Sequence, residues 1–152
     1  MNKDSGIISI AYGYTLCELI IALACVTALL AATVPDVYHI QEEWRLWESA
    51  HVLRNSLQWG RMHAVSVNSS MMLQIEDNGR KLLWVESSSG IQYKNSEQHL
   101  PGRIRIVEFP KHPLHFHPRG NAVPGGTYKV QGNSGAYYVV VSPGGRIRIE
   151  KE

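Results

Sequence analysis

Three groups of side chains in this 152-residue sequence have types and spacings that could do chemistry. The first is Glu18, the only charge in the 21 residues from Tyr14 to Val34. A lone charge at membrane depth costs roughly 2.5 kcal/mol or more on insertion scales, so a carboxylate kept there reads as functional. The second is a repeated pentapeptide, Gly-Arg-Ile-Arg-Ile, at Gly102–Ile106 and Gly145–Ile149. Strand side chains alternate between faces, so Arg103 and Arg105 would leave one face and Ile104 and Ile106 the other; Arg146 and Arg148 oppose Ile147 and Ile149 in the same way. Such arginines are either solvated or form a comb that meets a phosphate backbone. The third is His112, His115 and His117 in Lys-His-Pro-Leu-His-Phe-His. His115 and His117 would share one strand face, a spacing able to hold a metal, but no acid or cysteine close in sequence completes the set, so they read as surface histidines. The sequence has no nucleophile elbow, no phosphate-cradling glycine loop and no suggestively paired carboxylates. Neither catalysis, a cofactor nor a metal is predicted.

The elements that must carry these residues follow from hydropathy and periodicity. The run from Tyr14 to Val34 would rise roughly 30 Å as a helix, the hydrocarbon thickness of a bilayer, and is predicted to cross a membrane. Pro35 follows it. From Asp36 to Val65 a second helical stretch repeats Leu46, Ala50, Leu53, Leu57, Gly60 and Ala64 at spacings of three and four, which makes one apolar face. Trp44 and Trp47 flank that face; they are either interfacial anchors or, the favoured reading, core residues under the globular domain. Strands are then predicted on both sides of the hairpin turn Asp77-Asn78-Gly79-Arg80, and at Arg103–Glu108, Leu114–His117, Thr127–Gln131, Ala136–Ser142 and Arg146–Glu150. The fold class is α+β: a long N-terminal helix, membrane-spanning and then amphipathic, packed on a small C-terminal antiparallel β domain of two sheets.

Charge and cysteine usage narrow the function classes. The net charge is +2, with eleven bases and seven acids from Ser66 to Glu152, a mild bias far short of a dedicated nucleic-acid arm. Cys17 and Cys25 both lie in the apolar run, so no disulfide framework supports the β domain.

The segment Gly13-Tyr14-Thr15-Leu16-Cys17-Glu18-Leu19, opening the apolar run, resembles the class III signal of type IV prepilins and type II secretion pseudopilins. The resemblance implies that a prepilin peptidase cuts between Gly13 and Tyr14 and methylates the new amino terminus. Glu18 would become the fifth residue of the mature chain, paired with a neighbouring subunit's amine so that the two neutralise each other and set filament register. Pro35 falls where that family often has a proline that loosens the helix in the filament. Tyr14 stands where the family prefers phenylalanine, and Cys17 where it prefers an aliphatic residue.

Three further stretches extend the likeness to the whole chain: Leu100-Pro101-Gly102, Phe116-His117-Pro118-Arg119-Gly120, and Val139–Arg148. The sequence is similar to the minor pseudopilin H and FimT-like minor pilin family. This implies a leader over 1–13, a transmembrane and filament-core helix over 14–35, its amphipathic half over 36–65, and a β-rich globular domain over 66–152. It implies a single-pass inner-membrane protein with its C-terminal domain in the periplasm, able to enter a filament. Its partners would be the prepilin peptidase, other major and minor pilins or pseudopilins, and the inner membrane. The function implied is that of a minor pseudopilin of type II secretion. The alternative is a type IV pilus minor pilin that binds DNA for uptake, through Arg103, Arg105, Arg146 and Arg148.

Overall fold

The computed structural model describes residues 15–152. The cleavage pair Gly13 and Tyr14 and the leader lie outside the described residues. One helix, α1, runs from Leu16 to Ser66, 51 residues, with Pro35 inside it. Its start is capped: the Glu18 N–H donates to Thr15 Oγ1 at 3.3 Å, and the Leu19 N–H donates to the Thr15 carbonyl at 3.2 Å. Thr15-x-x-Glu18 has the spacing of a capping box, and an acid in the first turn also suits the helix dipole. Glu18 therefore has a local structural use that the sequence reading did not identify.

The chain divides into two compact units, Met1–Tyr38 and His39–Glu152. In the first, the large apolar side chains of α1 face outward: Leu16 is 75% exposed, Leu19 63%, Ile20 57% and Leu23 63%. The predicted membrane span, Tyr14–Val34, lies partly outside the described residues. Among the described residues, no helix is long and apolar enough to cross a membrane.

The second unit holds the core. Leu46, Ala50, Leu53, Leu57, Gly60 and Ala64 of α1 are all buried, as their spacing predicts. They face two antiparallel sheets built from nine strands: β1 (Met71–Glu76), β2 (Lys81–Glu86), β3 (Gln98–His99), β4 (Arg105–Glu108), β5 (His115–Phe116), β6 (Ala122–Val123), β7 (Gly126–Gly132), β8 (Gly135–Val141) and β9 (Ile147–Lys151). The first sheet has the order β3-β2-β1-β5-β6 and the second β4-β7-β8-β9. A single 3-10 turn, Asp77–Gly79, closes the predicted hairpin between β1 and β2. The two-residue strands β3 and β6 were not anticipated, since two residues show no alternation to read.

Leu73, Leu82, Trp84 and Phe116 from the first sheet and Ile106, Tyr128, Val130 and Val139 from the second meet α1 in one cluster. Burial raises the Tyr128 phenol pKa well above its ordinary value. Trp44 and Trp47 are not in this core: they are 63% and 43% exposed. At about 100° per residue, Trp47 is rotated a quarter-turn from Leu46 and Trp44 nearly a half-turn, so the helix that buries Leu46 must expose them. Their rings pack edge-on at 5.7 Å, and Trp47 lies 4.0 Å from the His51 ring.

Candidate functional site

The arginines singled out in the sequence all reach solvent, yet they do not form one surface. Arg103 sits in a turn before β4, and Arg146 immediately precedes β9, so neither is a strand residue. The burial pattern from Arg103 to Ile106 still alternates, exposed for the arginines and buried for the isoleucines. β4 and β9 are opposite edges of the four-stranded sheet, with β7 and β8 between them.

Cross-strand register places Arg105 in a row with Gln131 and Ala136, and Arg148 in a row with Val140 and Thr127. Arg105 and Arg148 themselves point to solvent. Three strand spacings and four residues along the strand separate Arg105 from Arg148 by roughly 20 Å. The row between them reads Glu108, Lys129, Tyr138 and Glu150.

Lys129, in the row between Arg105 and Arg148, is already engaged. Its Nζ lies 3.1 Å from Glu152 Oε1 and 5.2 Å from the Tyr138 ring centroid, and the Tyr138 hydroxyl donates to the same Glu152 oxygen at 3.0 Å. Hydrogen bonds from Lys129, then Tyr138, hold the Glu152 carboxyl below its ordinary pKa. Hydrogen bonding to Tyr138 and Glu152 raises that of Lys129. Arg119 is exposed in the turn after β5. Fixed acids thus interrupt the basic groups on this face.

The histidines are held individually. His115 Nδ1 lies 3.2 Å from Ser87 Oγ, and His117 Nδ1 lies 3.3 Å from Ser70 Oγ. Burial, then the neighbouring His117, lowers the His115 pKa below the ordinary imidazole value. Among the described residues, no group of three or more His, Cys, Asp or Glu side chains is placed to hold a metal.

One positioning residue escaped the sequence reading. Arg61, half-buried on α1, donates from Nε to the Gly120 carbonyl at 2.9 Å. Gly145 packs against the same Gly120 oxygen and against the Arg61 guanidinium, where no side chain would fit, and its φ is +79°. Close by, the Ala122 N–H donates to the Pro143 carbonyl at 2.9 Å. One guanidinium therefore joins the helix to a turn of each sheet. The available sequence signal was an arginine directly beside the buried stripe, together with two Pro-Gly turns that need a donor.

The fold of this domain recurs in solved structures. The type IV minor pilin FimU of Pseudomonas aeruginosa matches with a TM-score of 0.60 at 22% identity, over 73% of this chain and 92% of that one. The chain has a type IV pilin-like fold. The minor pseudopilin EpsH of the Vibrio cholerae type 2 secretion system matches this pilin-like chain with a TM-score of 0.57 at 15% identity, over 70% and 97% of the two chains. No protein-family model matches the pilin-like chain, and no curated sequence does either.

Proposed function

We propose that this chain is a non-catalytic subunit of a periplasmic pilin-like filament, and that the filament is the pseudopilus of a type II secretion system. One observation carries the reading: Leu16, Leu19, Ile20 and Leu23 stand exposed on α1, ahead of a compact domain with a complete core of its own. Apolar surface of this extent is costly in water, at about 25 cal/mol per Å², and calls for lipid or other helices to cover it. In this reading the segment Tyr14–Val34 is held in the inner membrane before assembly and among the helices of other major and minor pseudopilins afterwards. Prepilin peptidase releases Tyr14 from Gly13, and Glu18 meets the new amine of a neighbour. The Thr15 cap leaves the Glu18 carboxylate on an exposed first turn, where such an amine could reach it.

The choice of secretion over DNA uptake rests on the second sheet. A groove that tracks a phosphate backbone needs contiguous cations. Here Glu108, Glu150 and Glu152 stand among the arginines, and Lys129 is paired. That arrangement favours contacts with other folded subunits.

Two measurements test the proposal. Mass spectrometry of the membrane fraction should show a chain beginning at N-methylated Tyr14; a mature protein retaining residues 1–13 beside an active peptidase defeats the pilin reading. Gel shifts of duplex DNA at two salt concentrations should show weak binding or none. Tight binding that Arg146→Ala with Arg148→Ala abolishes would move the chain to DNA uptake, whereas capture of minor pseudopilins by the intact protein supports secretion.

A further inference from the structure

The outer face of the five-stranded sheet brings together three soft or borderline donors that are apart in sequence. Antiparallel register pairs β1 with β5 as Met71 with Phe116 and Met72 with His115. The Leu73 N–H donates to the Leu114 carbonyl at 2.9 Å. That bond makes the neighbouring Met72–His115 pair a non-hydrogen-bonded one, the type whose α-carbons approach to about 4.5 Å and whose side chains stand closest. His117 lies just past the end of β5, two residues beyond His115; the burial order half-buried, buried, exposed over His115–His117 keeps both histidines on one side, and the His117 N–H donates to the Asn121 carbonyl at 2.9 Å, which fixes the backbone there. Phe116, between the two histidines, is fully buried on the opposite face and anchors the strand. His115 and Met72 are half-buried and His117 is exposed, so the face is open to a small solute.

We propose that His115, His117 and Met72 form a binding site for a single copper(I) ion. Two imidazoles two residues apart on extended backbone start roughly 6.6 Å apart and can converge on an ion with bonds near 2.0 Å. The Met72 thioether, directly across from His115, supplies a soft third donor, which selects copper(I) over harder cations. Ser87 and Ser70 act as the outer partners of the site. A ring whose Nδ1–H donates to its serine turns the Nε2 lone pair outward, the arrangement that orients most metal-bound histidines. The site is independent of the filament reading, because it requires only the folded second unit.

The test uses the full chain in detergent with Cys17 and Cys25 changed to serine, since thiolates would capture copper(I) elsewhere. Copper(I) is titrated under ascorbate against a chromogenic chelator, with circular dichroism confirming the fold of each variant. One equivalent should bind. His117→Ala, at an exposed position, should abolish binding, and Met72→Leu should weaken it by at least the ~10–100-fold that loss of an outer-shell partner alone costs. Ser70→Ala and Ser87→Ala should weaken it within that range. On binding, the Met72 methyl and both imidazole rings should shift in NMR spectra. No binding by the thiol-free chain, or binding that survives His117→Ala or is unchanged in Met72→Leu, overturns the proposal.

Discussion

The Trp84 indole rests against Gly60 of α1, and its Nε1–H donates to Ser56 Oγ at 3.0 Å. A β-carbon at Gly60 would collide with the six-membered ring of the indole. The helix therefore accepts a poor helix former at mid-length so that the largest buried side chain of the first sheet can reach its backbone. Ser56, one turn earlier, satisfies the only polar atom that Trp84 brings into the core.

Gly60→Ala should destabilise the protein although alanine is the better helix former. Helix propensity alone would add about 1 kcal/mol of stability. Pushing the indole out of its seat should cost about 1–3 kcal/mol, and more if the Ser56 bond is lost with it. Urea titration followed by Trp fluorescence measures the balance; a net gain would mean the ring shifts without penalty.

Arg61→Ala should loosen both turns at once. The guanidinium bond to Gly120 is charge-assisted and half-buried, so its loss should cost about 1.5–3 kcal/mol. Hydrogen exchange should speed up around Gly120 and Gly145 together. Acceleration at one turn alone would contradict the shared clamp.

A fragment beginning near Gln41 should fold without the apolar half of α1, since every core residue lies in the second unit. Circular dichroism should report mixed helix and strand with a cooperative thermal transition. A disordered product would show that the core depends on the preceding helix.

The Glu152 carboxylate should titrate below an unperturbed glutamate in NMR, because Lys129 and Tyr138 stabilise its charged form. With the folded pKa lowered, the contribution to stability is present above the unfolded value of about 4.3 and disappears as pH falls through the lower folded value. Tyr138→Phe removes one of the two hydrogen bonds and should bring the pKa part of the way back. No change in that variant would assign the whole shift to Lys129.

Glu18→Ala should enter membranes at least as well as the wild type, since a charge is removed from an apolar segment. It should nevertheless be poorly incorporated into filaments in a crosslinking assay. Loss of the first-turn acid weakens the helix start by about 0.3–1 kcal/mol, so Glu18→Gln, which keeps a side chain able to complete the cap, separates capping from charge. Normal incorporation of Glu18→Gln would leave Glu18 with the capping role alone.

The features that sequence determined by itself are those set by local periodicity. The stripe from Leu46 to Ala64 has a period matching the helix, so its burial follows once any core exists. The pairing of β1 with β2 about Asp77–Gly79 is likewise carried by neighbours in the chain. The apolar run was legible for the same reason. Strand order was not, because hydrogen bonding between β7 and β8 separates the two Gly-Arg-Ile-Arg-Ile segments by pairings that neither segment encodes. Identical local sequences therefore became opposite edges of one sheet, with Glu108 and Glu150 in the row between their arginines. Trp44 and Trp47 stayed outside because helix rotation is fixed by which face the sheets cover. Tertiary register alone set Met72 across from His115 and Arg61 against Gly120, since each pair joins residues whose separation in sequence carries no periodic signal.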